Sequence, residues 1–89
     1  MPDDLAITFQ QATDEVTKLS KAPDSEAMLR LYALYKQATQ GDCTGDRPGI
    51  MDFVRRAKYD AWKGLAGTSK EGAMREYVSF VEELKAADQ

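Results

Sequence analysis

Apolar residues recur every three or four positions in four separate stretches of this chain, and no stretch alternates apolar with polar residues over the length of a strand. A 3.6-residue repeat gathers such residues on one face of a helix and would scatter them over both faces of a strand, so the pattern predicts an all-α protein. Leu5, Phe9, Ala12, Val16 and Leu19 make the first stripe and predict a helix over residues 4 to 19, with Asp3 or Asp4 as cap. Pro23 breaks the pattern, and Asp24 or Ser25 can receive the free N–H groups of a second helix over 25 to 40. Its apolar residues, among them Met28, Leu29, Leu31, Leu34 and Ala38, cover more than half the circumference, which predicts contacts on two sides. Residues 41 to 51 hold three glycines and a proline and predict a long connection between non-adjacent ends of a bundle. A third helix is expected from Asp52 to about Gly67, burying Phe53, Ala57, Ala61 and Leu65 with Val54 and Trp62 beside them. Thr68 and Glu71 have capping-box spacing for a fourth helix to about residue 86, whose apolar face is Ala73, Tyr77, Phe80, Val81 and Leu84.

Eighty-nine residues support one hydrophobic core and hence a single domain over 1 to 89, a small four-helix bundle. With 43% hydrophobic and 30% charged residues, the chain has the composition of a folded protein. A net charge of -3 argues against general nucleic-acid binding, although Arg55, Arg56 and Lys58 form a local basic cluster. The lone Cys43 allows no internal disulfide, and no apolar run reaches the roughly 18 residues that span a bilayer. The acidic start, Met1-Pro2-Asp3-Asp4, is unlike a secretory signal, and Ala86-Ala87-Asp88-Gln89 carries no retention or peroxisomal address. The expected compartment is the cytoplasm, without stable membrane insertion.

Catalysis lacks parts. There is no histidine, no P-loop and no zinc or calcium spacing, and the pairs Asp3/Asp4, Asp14/Glu15 and Glu82/Glu83 read as solvated helix faces. The informative group is Tyr32, Tyr35 and Lys36, which fall within a sector of roughly 100° on the second helix, Tyr32 one turn before Lys36. Two phenols and an ammonium suit a phosphorylated aromatic ligand, since the polar groups donate to phosphate oxygens and the rings can flank a base. The same spacing fits two core tyrosines whose hydroxyls reach water, and spacing alone does not choose between them. Lys58 stands at the border of an apolar face, between Val54 and Trp62, while Tyr77 lies inside the apolar stripe of the fourth helix and also fits a core role.

Tyr32-Ala33-Leu34-Tyr35-Lys36-Gln37-Ala38-Thr39, Gly41-Asp42, Arg47-Pro48-Gly49, Lys58-Tyr59-Asp60-Ala61-Trp62 and Gly67-Thr68-Ser69-Lys70-Glu71, followed by Ala73-Met74 and Tyr77, resemble the acyl-CoA-binding proteins in order and spacing. The similarity runs from about Phe9 to Leu84. It implies an up-down-down-up four-helix bundle that binds medium- and long-chain acyl-CoA esters as an intracellular, monomeric carrier and pool former, with no catalysis and no cofactor, the ester being a bound ligand. By the family pattern Tyr32, Lys36 and Lys58 hold the ribose 3'-phosphate, Tyr35 contacts the adenine nucleotide and Tyr77 lines the site. The acyl chain would lie along Phe9, Met28, Leu29 and Ala57. Thr17 and Val54 stand where many members carry lysine, and Tyr59 where tryptophan is common, which implies weaker phosphate contacts unless Arg55 restores positive potential. The alternative from another class is a helical protein-interaction module whose aromatic patch meets a partner helix.

Overall fold

Asp24 Oδ1 accepts from the Ala27 N–H at 2.8 Å and starts the second helix directly after Pro23. The computed structural model describes residues 2 to 88, with side-chain surroundings from Asp4 onward, so the expected cap Asp3 lies outside the described side chains. The chain forms α1 (Pro2–Val16), α2 (Ser25–Gln40), α3 (Phe53–Lys63) and α4 (Lys70–Ala87), with no strand among the described residues. α1 begins two residues before the expected start, so that Asp4 falls within its first turn.

Two helices end earlier than periodicity predicts, for one physical reason. After Val16 and after Lys63 the backbone tightens into i to i−3 bonds, Thr17 to Asp14 and Lys18 to Glu15 in one case, Leu65 to Trp62 and Ala66 to Lys63 in the other. Leu65 therefore still packs against the core without being helical, and Leu19 is half-buried just past the end of α1. At α4 the cap is Ser69, which accepts from the Gly72 N–H at 2.9 Å, rather than the expected Thr68. The Thr68 carbonyl instead accepts from Gln37 Nε2 at 2.7 Å, which draws Thr68 toward α2 and leaves the next residue to cap.

α4 packs on both α1 and α2, and α2 packs in turn on α3. α2 is thus contacted on two sides, as its broad apolar surface predicts. Phe9 and Ala12 of α1, Leu31, Leu34 and Ala38 of α2, and Ala73, Tyr77 and Val81 of α4 make the core. α3 contributes only Trp62 to the fully buried set, and the expected burial of Phe53 and Val54 is not found: they are 73% and 66% exposed. Periodicity reveals which face of a helix is apolar, not whether a neighbour reaches it. α3 meets α2 alone, and its first turn extends past that contact.

The connection that follows α2 crosses between non-adjacent ends of the bundle, as expected: the start of α3 lies beside the start of α2, where Val54 borders a hollow with Ser25 and Met28, and its end lies beside Gly41, so the two helices pack in parallel. Its length serves to clamp α3. Trp62 Nε1 donates to the Gly41 carbonyl at 2.8 Å, the Tyr59 hydroxyl donates to the Gly45 carbonyl at 3.0 Å, and Arg47 grips Asp60 through two bonds of 3.0 and 2.7 Å. Gly41 turns the chain out of α2 at φ 83°, a conformation that favours glycine.

Candidate ligand-binding site

The spacing that sets Tyr32 one turn before Lys36 brings the Lys36 ammonium to 6.0 Å from the Tyr32 ring centre. Lys58 arrives from α3, its ammonium 5.3 Å from the same ring. Lys36 also lies 5.0 Å from the Trp62 ring, whose indole is fixed by the Gly41 carbonyl. Ring faces attract cations without neutralising them. Among the described residues neither ammonium forms an ion pair with a carboxylate, so two positive charges collect over one phenol, ready to meet an anion.

Next to this cationic pair stands an aromatic cluster. Tyr35 stacks on Phe9 with ring centres 5.9 Å apart, Phe9 meets Tyr77 edge to face at 5.1 Å, and Tyr35 lies 6.4 Å from Tyr77. Tyr35 is exposed while Tyr77 is buried, and that burial, with the neighbouring Tyr35, pushes the Tyr77 phenol above its ordinary pKa, keeping it neutral. Phe9 sits buried among the tyrosines and lines neither of the hollows that border them.

Those hollows open where α2 diverges from its neighbours. One of about 490 Å³ lies between the end of α1 and α2, bordered by Val16, Thr17, Met28, Tyr32, Tyr35 and Tyr77. A second of about 440 Å³ lies between α2 and α3, bordered by Met28, Leu29, Tyr32, Val54, Ala57 and Lys58. Tyr32, Met28 and Pro23 line both. Each volume falls in the roughly 300 to 1,000 Å³ range of small-molecule pockets. The structure therefore brings Tyr32, Tyr35, Lys36, Lys58 and Tyr77 to one neighbourhood, and Met28, Leu29 and Ala57 to one apolar wall. Thr17 and Val54, the positions without lysine, line the two hollows as a hydroxyl-bearing and an apolar residue. Arg55 borders a smaller hollow with Lys58 and Tyr32, but its guanidinium is paired with Asp52 at 3.2 Å.

Sequence reasoning passed over three contributors. Pro23 registered only as a helix breaker. Trp62 registered as apolar filling, although it holds Lys36 in place. Gln37 is buried in the wall behind the site, donating to Asp42 Oδ1 at 2.8 Å and to Thr68, while the Gly67 N–H donates to the same Asp42 oxygen. Those bonds hold the Asp42 carboxyl below its ordinary pKa, the Gln37 amide first.

Residues 6–81 match the family model described as acyl CoA binding protein. The chain belongs to the acyl-CoA-binding protein family. It is 44% identical to the acyl-CoA-binding protein of Dictyostelium discoideum over 86% of this chain and 92% of that one. The crystal structure of Oryza sativa acyl-CoA-binding protein 2 superposes with a TM-score of 0.88 at 41% identity, covering 93% of this chain and 92% of the rice protein. Enoyl-CoA delta isomerase 2 of Rattus norvegicus is 48% identical over 91% of this chain, but this chain spans only 21% of that enzyme. The human enzyme of the same name is matched over a similar fifth of its length. Most of both isomerases therefore lies outside the matched region.

Proposed function

We propose that this chain binds long-chain acyl-CoA esters and acts as a monomeric carrier in the cytoplasm, making and breaking no bond. The observation that carries the reading is the convergence of the Lys36 and Lys58 ammonium groups on the Tyr32 ring beside two apolar hollows. In this reading Tyr32, Lys36 and Lys58 take the ribose 3'-phosphate, Tyr35 flanks the adenine nucleotide, and Tyr77 supplies the floor. Met28, Leu29 and Ala57 shelter the acyl chain. Phe9 supports Tyr35 and Tyr77 from behind rather than touching the chain. Family membership and the names of the Dictyostelium and rice relatives support the ligand class.

Magnitudes favour the whole ester over its parts. Burying a methylene is worth about 0.8 kcal/mol, so roughly fourteen of them contribute on the order of 10 kcal/mol before the costs of association. Each charged hydrogen bond to phosphate adds about 1.5 to 3 kcal/mol. Calorimetric titration with palmitoyl-CoA, CoA and palmitate tests the reading. The ester is expected to bind far more tightly than either fragment, and equal weak affinity for all three would defeat it. The isomerase relatives make turnover the other thing to measure: the pure chain is expected to leave the acyl-CoA intact.

A further inference from the structure

Asp52 donates its N–H to the Gly49 carbonyl at 3.0 Å, closing a turn with Ile50 and Met51 at its corners, 72% and 81% exposed. Such corners ordinarily carry glycine, asparagine, aspartate or serine. Phe53 and Val54 follow directly and are nearly as exposed. Four large apolar side chains in five positions thus project, largely exposed, at the start of α3. The segment is presented firmly, because its turn is hydrogen-bonded and α3 is clamped by the preceding loop.

The charge beside this tip differs from the rest of the molecule. Arg55, Arg56 and Lys58 crowd into the four positions after the tip, against Asp52 before them and Asp60 beyond, on a chain of net charge -3. Arg55, next to the apolar residues, has its side chain 75% exposed, and its ion pair with Asp52 is of the exposed kind that holds weakly. A protruding apolar tip with adjoining cations matches the interface of an anionic bilayer, where the apolar groups enter the headgroup boundary and the cations meet lipid phosphates.

We propose that residues 50–54, with Arg55 beside them, dock this protein onto an anionic lipid surface. Val54 also lines the 440 Å³ hollow together with the exposed Met28, so docking brings that hollow's mouth to the lipid. The proposal rests on the exposed patch and stands apart from the acyl-CoA reading, so it is tested with vesicles that contain no acyl-CoA.

The test is flotation of the full chain with phosphatidylcholine vesicles and with vesicles of phosphatidylcholine and phosphatidylserine. The wild-type chain is expected to float with the anionic vesicles and to be released by salt. Met51→Ser with Phe53→Ser, and separately Arg55→Glu, should lower partitioning by about tenfold or more. The double serine variant should keep the wild-type helical signal and palmitoyl-CoA affinity, since neither residue lies in the core or lines either large hollow. Absence of wild-type flotation, equal flotation of the variants, or equal binding to neutral vesicles would overturn the proposal. So would self-association that the double variant abolishes while vesicles bind neither chain, because the patch would then be covered by a second copy.

Discussion

The two sides of α2 are held by different forces. Toward α4 the contact is apolar and closed: Leu34, Ala38, Ala73 and Val81 are buried there with essentially no exposure. Toward α3 it is narrower, with Trp62 as the only fully buried side chain that α3 supplies, and polar clamps do much of the holding: Trp62 to Gly41, Tyr59 to Gly45, Arg47 to Asp60 and Gln37 to Asp42. The cations and the larger share of exposed apolar surface sit on the α3 side. A closed apolar seam fixes where α2 points, and that leaves the opposite seam free to open into the 440 Å³ hollow and to carry charges that a packed core would exclude. In this small bundle, stability and recognition divide across a single helix.

Mutations on the two sides should therefore differ in kind. Leu34→Ala, at the centre of the α2–α4 seam, is expected to lower stability by about 2 to 5 kcal/mol in urea unfolding. A loss under about 1 kcal/mol would mean that this seam is not the core. Gln37→Leu removes the buried amide that ties α2 to the loops bearing α3, and about 1 to 3 kcal/mol should be lost. Its distinguishing sign is a changed emission of Trp62, the only tryptophan, with helical content preserved.

Acid should act on the same side first. The Asp42 carboxyl is held below its ordinary pKa by the Gln37 amide and the Gly67 N–H, and that of Asp60 chiefly by its hydrogen bonds from Arg47. A group whose folded pKa is depressed contributes stability that is fully present above its unfolded pKa, about 4, and is lost as pH falls through the folded value. With no histidine, stability should stay flat from neutrality down to about pH 4 and then fall. Trp62 emission is expected to change at a higher pH than the far-ultraviolet helical signal, and coincident transitions would show that the two seams open together. Asp88, depressed by the Ser20 N–H and hydroxyl, ties the end of α4 to the chain after α1 and makes that side acid-sensitive too, though its apolar contacts remain. The smallest effect belongs to Phe53→Ser, expected within about 0.5 kcal/mol of wild type despite the loss of a large apolar side chain. A large loss would return α3's first turn to the core.

Most of the fold was legible because helix periodicity and cap chemistry are local. Asp24 and Pro23 mark the start of α2 in the sequence as in the structure. The errors arose where a distant residue decides. Ser69 caps α4 because Gln37 claims the Thr68 carbonyl, an event 31 residues away in the chain. Phe53 and Val54 look like core on a helical wheel, and only the absence of a neighbour beyond α2 exposes them. Of the candidate site, Tyr32 and Lys36 could be paired from one-turn spacing. The meeting of Lys58 with Tyr32 depends on how α3 crosses α2, and the place of Trp62 beneath Lys36 depends on the Gly41 carbonyl; neither is encoded in any local window.

The central claim is that a phosphate belongs where two ammonium groups share one phenol ring. Palmitoyl-CoA and its analogue lacking only the ribose 3'-phosphate, each titrated into wild type and Lys36→Ala, test it most directly. The account predicts that wild type loses about ten- to a hundredfold in affinity with the phosphate, as expected for a charged hydrogen bond, while the variant, left with Lys58 and Tyr32 for that phosphate, discriminates several-fold less. A variant that discriminates between the two esters as strongly as wild type would contradict it.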